Sequence, residues 1–152
     1  MTPIADLVPH QGPMCLLDTL VEHGEEHLIA TVTPRHDDLF ATTDGIPGWV
    51  GIEWLAQAVA AWSGDRAKAA GGNPRIGFLL GSRRYRCQVE HFAFDQQIRV
   101  EVTLDYLADN GLAAFRGCVR DAEGQALAEA MLNVFEPDSP EALNAMQEDS
   151  RS

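Results

Sequence analysis

The first residue in this sequence whose setting suggests chemistry is Glu53, an acid flanked by Val50, Ile52, Trp54 and Leu55. A carboxyl among apolar neighbours is suited to holding a proton and donating it, as a general acid must. The plainer reading is a helix-start acid stabilised by the helix dipole. Gln57 follows four residues later, on the same face if the run is helical. There it could orient Glu53 or serve as a buried amide satisfied by backbone. Gly48, after Pro47, would leave backbone amides exposed at a positive helix end, suited to a carbonyl oxygen that gains negative charge. An ordinary turn glycine would look the same. His10 and His36 are the candidate bases. His10 stands between Pro9 and Pro13, where a structural histidine is the common case, and His36 precedes Asp37 and Asp38 in what reads as an exposed loop. Asp44, in the same loop, is a further carboxylate able to activate water.

These residues need a frame. Leu16 to Glu22 and His27 to Thr33 are apolar-rich runs separated by the turn His23-Gly24-Glu25-Glu26, the pattern of a hairpin. A loop from Pro34 to Gly48 follows. Val50 to Ala70 then reads as one buried helix, with Ile52, Leu55, Ala56, Val59 and Trp62 at helical spacing, stopped by Gly71-Gly72-Asn73-Pro74. Four strands are expected beyond it. The first runs through Ile76, Phe78 and Leu80, and the second through Ile98, Val100, Val102 and Leu104. The third runs from Ala113 to Val119 and the last from Ala126 to Phe135, with turns at Asp109-Asn110-Gly111 and Asp121 to Gly124. Short polar turns make the last three antiparallel neighbours. A sheet with a single long apolar helix must curl around that helix, giving an α+β fold.

Composition narrows the partners. A formal charge of −12 argues against nucleic acid and against anionic membrane surfaces. No stretch approaches the roughly 18 apolar residues of a membrane span, and the start, MTPIADLVPHQG, has no charged and apolar regions of a secretory signal, so a cytoplasmic location is expected. Cys15, Cys87 and Cys118 form no CxxC or zinc spacing and read as buried thiols. No metal or nucleotide motif is present. One domain is expected over residues 1–136, with the proline- and acid-rich residues 137–152 as a frayed tail.

Pro9 to Asp18, PHQGPMCLLD, resembles the N-terminal PHxxPxxLLD segment of the β-hydroxyacyl-ACP dehydratases of the FabZ type. Pro47 to Gln57, PGWVGIEWLAQ, is similar to that family's PGxxxxEAxAQ helix start, and GSRRYR, Gly81 to Arg86, to the strand after it. The likeness extends to about Phe135. GWVGIEWLAQA and GFLLGSRRY bring it closer still to the dehydratase-like ApeP group of aryl polyene clusters.

This resemblance implies the hotdog fold, an antiparallel sheet wrapped around one long central helix, with dimers formed by joining sheets edge to edge. The flat apolar strand Gly77 to Gly81 would be that edge. The implied reaction is dehydration of a 3-hydroxyacyl thioester, in fatty-acid or aryl polyene-type biosynthesis, with Glu53 acting on the β-hydroxyl. Gly48, Trp49 and Gln57 would then lie on the substrate side. His10 matches a histidine of the N-terminal motif that is not the family's assigned base. That base sits in a GHFPG loop, absent here: Leu39 stands at its position, the loop is shorter, and His36 is offset from it. Hotdog dehydratases build each site from the histidine of one protomer and the acid of the other. A chain with the acid alone could therefore be completed by a different, histidine-bearing hotdog subunit. No cofactor is implied beyond the phosphopantetheine of acyl carrier protein or CoA. Arg83, Arg84 and Arg86, with Arg66 and Lys68, form the basic cluster that an acidic carrier protein would need, although solvated strand and helix ends would look alike.

Three functions stay open. They are a dehydratase alone or in a heteromer, a thioesterase using Glu53 or Asp44, and a catalytically silent partner that shapes a tunnel for another subunit.

Overall fold

The hairpin that opens the fold pairs β2 (Thr19–His23) with β3 (His27–Val32), closed by the Gly24 N–H on the His27 carbonyl at 2.9 Å. The computed structural model describes residues 2–3, 16–69, 78–108 and 112–135. Within them, β1 (Thr2–Pro3) adds to β2, and Leu28, Ala30 and Val32 of β3 are fully buried. The loop after β3 ends in β4 (Ile46–Pro47), and helix α1 (Val50–Ala69) follows. Beyond it come β5 (Phe78–Cys87), β6 (His91–Phe92), β7 (Ile98–Leu107), β8 (Leu112–Arg120) and β9 (Ala126–Phe135).

One seven-stranded antiparallel sheet, in the order β1-β2-β3-β7-β8-β9-β5, packs around α1. The strands alternate as a sheet with one covered face must. Ile98, Val100 and Val102 of β7, Phe115 and Val119 of β8, and Ala128, Ala130 and Leu132 of β9 are buried, while Arg99, Arg116 and Glu129 face water. Helix and sheet come close where Gly117 leaves room. A Cβ there would stand 2.8 Å from a Leu55 methyl. Trp62 meets Phe115 edge to face with ring centres 5.0 Å apart, and Trp54 lies against Phe92 at 4.6 Å.

Over residues 50–63 the helix is buried on nearly all sides, through Val50, Trp54, Leu55, Ala58, Val59, Ala61 and Trp62. Its least covered stripe runs through Ile52, Glu53, Ala56 and Ala60, at three- and four-residue steps. This is the hotdog arrangement expected from the sequence, and the expected last three strands are neighbours. The turn between β8 and β9 forms as its residues require, with the Asp121 carboxylate accepting the Glu123 and Gln125 N–H groups and Gly124 at φ 87°.

Not foreseen was the two-stranded pairing of β4 with β6, which sets Ile46 opposite Phe92 and Pro47 opposite His91. The expected helix stop at Gly71 to Pro74, the turn at Asp109 to Gly111 and the tail 137–152 lie outside the described residues. No helix among the described residues is long and apolar enough to cross a membrane. β5 ends the sheet, and among the described residues only β9 pairs with it.

Candidate active site

The loop between β3 and α1 is folded by its own polar residues. The Asp38 carboxylate accepts the Arg35 N–H at 2.9 Å, and the Thr42 N–H and hydroxyl both donate to the Gly45 carbonyl at 2.9 Å. Gly45, at φ 141°, brings the chain against the Phe92 carbonyl, where any Cβ would collide. From there β4 leads into the first turn of α1.

Glu53 lies in that first turn, half-buried. Gln57, wholly buried, directs its Nε2 to Glu53 Oε1 at 3.4 Å and accepts the Leu16 N–H through Oε1 at 2.8 Å. One end of the amide thus takes a backbone N–H and the other faces the carboxylate. The Leu16 bond also brings the segment that follows the PHQGPM motif against the second turn of α1.

Of the backbone amides at this helix end, that of Gly48 is taken up inside the fold. Its N–H donates to the Glu90 carbonyl at 2.8 Å, and the residue is buried. A Cβ on it would stand 2.6 Å from the Val89 carbonyl oxygen and 3.0 Å from Cys87 Sγ. The sheet edge is too near for any other residue. The Gly48 carbonyl accepts the Tyr85 hydroxyl at 2.6 Å and the Gly51 N–H at 3.2 Å. The amides of Trp49 and Val50 come next, and neither has an acceptor among the described residues. They are the donors that the positive end of α1 offers.

Trp49 is 56% exposed and meets Phe40 edge to face at 5.0 Å. Beside it lies a shallow hollow open to solvent, lined by Leu16, Asp38, Phe40, Ile46, Val50 and Trp54. Loop and helix start thus share a mostly apolar hollow.

The other candidates fall elsewhere. His36 is exposed and lies over Phe94, with ring centres 3.9 Å apart. Asp44 is exposed at the tip of the Thr42–Gly45 turn. Arg84 and Arg86 are exposed on β5, with Arg84 at φ 58° beside a break in the register with β9. Among the described residues neither has an acidic partner, whereas Arg116 and Arg120 sit by Asp105 and Glu101. His10, Cys15 and the side chains of Arg66, Lys68 and Arg83 lie outside the described residues. Cys87 and Cys118 are free and half-buried. Burial pushes the Cys118 thiol above its ordinary range. Among the described residues no cluster of His, Cys, Asp and Glu could hold a metal.

Tyr85 was missed from the sequence. Its only local signal is the inward phase of β5, and the group it binds is far away in the chain.

Known proteins share this construction. The family model of the ApeP-like proteins, described as ApeP dehydratase, matches residues 2–147. A chain of the dehydratase heterocomplex ApeI:P from Xenorhabdus doucetiae is 30% identical, with a TM-score of 0.86 over 96% of this chain and 98% of that one. At 12% identity, S. sahachiroi AziG superposes with a TM-score of 0.62 over 81% of this chain and 92% of that chain. The smu.793 protein of Streptococcus mutans, solved with acetyl CoA, is 13% identical, with a TM-score of 0.61 over 79% and 87%. These two show the fold alone. No protein with a curated description matches the sequence. A family match over nearly the whole chain, carried on the same fold, settles where the sequence sits: the chain belongs to the ApeP-like dehydratase family.

Proposed function

We propose that this chain is the acid-bearing subunit of a 3-hydroxyacyl-thioester dehydratase, completed by a histidine-bearing hotdog partner. The observation that carries the reading is Glu53 on the least covered stripe of α1, met by the buried Gln57 amide and one turn from the open amides of Trp49 and Val50. Carboxyl and amides are the acid and the oxyanion donors that dehydration requires.

In this mechanism the partner's histidine removes the α-proton, and charge moves onto the thioester oxygen, which accepts from the Trp49 and Val50 amides. Protonated Glu53 gives its proton to the β-hydroxyl, which leaves as water as the double bond forms. Glu53 and the histidine then return to their starting states by exchanging the proton gained for the one lost. Gln57 keeps Oε1 of Glu53 oriented through these steps.

The base comes from a partner because the loop has no histidine at the expected place, where Leu39 stands, and His36 is engaged with Phe94. The similar Xenorhabdus doucetiae structure is itself a dehydratase heterocomplex. The free edge of β5 is the surface for a second sheet. Arg84 and Arg86 on that strand, joined by Arg83, would meet the phosphate and acidic surface of an acyl carrier protein, or the phosphates of CoA. A carrier-bound substrate of fatty-acid or aryl polyene type fits this picture, as does a cytoplasmic location.

The test is enoyl-thioester formation from a 3-hydroxyacyl-ACP by this chain alone and with a histidine-bearing hotdog subunit. Turnover in the complex that drops at least about a hundredfold in Glu53→Gln is expected. Full activity in Glu53→Gln would make the chain a silent partner. Free thiol in place of enoyl product would make it a thioesterase. Turnover by the chain alone would assign the base to His10 or His36.

A further inference from the structure

The Tyr85 hydroxyl, beside Cys87, donates to the Gly48 carbonyl, a bond that a phenylalanine in its place could not make. Three hydrogen bonds converge on this one glycine. The Glu90 carbonyl takes its N–H at 2.8 Å, while its carbonyl receives the Gly51 N–H at 3.2 Å and the Tyr85 hydroxyl at 2.6 Å. The Tyr85 bond is the shortest of the three, as expected of O–H to carbonyl. Gly51 is also fitted to it, since a Cβ at that position would collide with the Tyr85 hydroxyl.

A peptide group is planar, with its N–H directed opposite to its C=O. The Gly48 carbonyl is drawn toward β5 by Tyr85, so the Trp49 N–H of the same peptide is turned away from β5. That is one of the two amides without an acceptor among the described residues. The effect is also electronic. A hydrogen bond received at the carbonyl polarises the peptide and strengthens its N–H as a donor.

We infer that Tyr85 is a positioning residue that aims and strengthens the Trp49 amide toward the substrate's carbonyl oxygen. This rests on the dehydratase reading above and deepens it: the oxyanion site is set by a side chain of the edge strand, not by the helix end alone. Burial raises the Tyr85 phenol well above its ordinary range, and neighbouring Cys87 adds to this. The hydroxyl therefore stays protonated and donating throughout the working pH range.

The experiment compares wild type, Tyr85→Phe and Gly51→Ala in whichever assembly turns over 3-hydroxyacyl-ACP. Its second readout is the infrared carbonyl stretch of bound S-butanoyl-pantetheine labelled with carbon-13, which cannot dehydrate. Removing an oxyanion donor outright costs about 10²–10³-fold in kcat. Loosening one should cost about tenfold in Tyr85→Phe, with KM within about twofold. The wild-type carbonyl stretch should be shifted to lower frequency and should return most of the way toward its solution value in Tyr85→Phe. Gly51→Ala, whose methyl would collide with the hydroxyl, should give the same losses. A variant that merely melts earlier, with kcat and carbonyl stretch unchanged, overturns the inference, as does an unshifted carbonyl in wild type. Glu53→Gln separates the two claims. It should abolish dehydration while leaving the shift in place, and an active Glu53→Gln would remove the acid role without touching Tyr85. If no assembly turns over, the carbonyl shift alone decides.

Discussion

Gln57 reaches Glu53 across one helical turn, its Nε2 at 3.4 Å from Oε1, from a position with no exposure to solvent. A buried amide in that place has two duties, since its oxygen holds the Leu16 N–H. Gln57→Leu should therefore lower both stability and rate. Leaving the Leu16 donor unpaired costs about 1–3 kcal/mol, read by urea unfolding. Misdirecting Glu53 should lower kcat about tenfold, toward the low end of what acid catalysis supplies. A loss of stability with full kcat would mean that Gln57 serves the backbone alone.

The Leu55–Gly117 contact gives a prediction about the core. A methyl on Gly117 would press on Leu55 at 2.8 Å, so Gly117→Ala should cost about 1–3 kcal/mol through overpacking. Adding Leu55→Val should recover part of it, because the two changes share one space. A double-mutant cycle by chemical denaturation measures that recovery, and strictly additive losses would count against the contact.

Arg84 and Arg86 stand exposed without acidic partners among the described residues. Reversing both to glutamate should raise KM for ACP-bound substrate about tenfold and leave KM for a pantetheine thioester within about twofold. The penalty should shrink as salt is raised from low to physiological levels. Equal effects on both substrates would place the arginines in the pocket instead.

Tyr85 makes stability depend on alkaline pH. Its folded-state value is raised, so above the ordinary 10.0 the unfolded chain gives up a proton that the folded chain keeps. The unfolded state then binds fewer protons, and stability falls as pH rises through that region. The contribution is fully present below pH 10. Urea unfolding between pH 8 and pH 11 should show a decline that Tyr85→Phe flattens, and equal slopes in both proteins would oppose it.

Much of the frame could be read from sequence for a physical reason. The helix expected over Val50 to Ala70 runs Val50–Ala69, and the strand expected from Ala126 to Phe135 has those bounds. Both are long, and burial stamps a regular period on them. The β4–β6 pairing carries no period, because two residues on each side are too few to alternate. The site divides in the same way. Glu53 and Gln57 share a helix and a motif, so their spacing announces them. The partners of Gly48 come from Tyr85 and Glu90, whose bonds cross the fold and leave no local trace. His36 shares the loop where the base was sought but reads from sequence as an exposed loop histidine, and it is exposed, lying over Phe94.

The placement of β5 has one more consequence, for the order in which the protein is made. Synthesis delivers β5 well before β9, the strand beside it, and Phe78 waits for Phe135 at the far end of the described chain. Until then the strand bearing Tyr85 has an unpaired edge on both sides, the kind of surface that invites misassembly. The grip on Gly48 thus closes late, when nearly the whole chain is free. A truncation that trims β9 would be felt less at the chain's end than at the first turn of its helix.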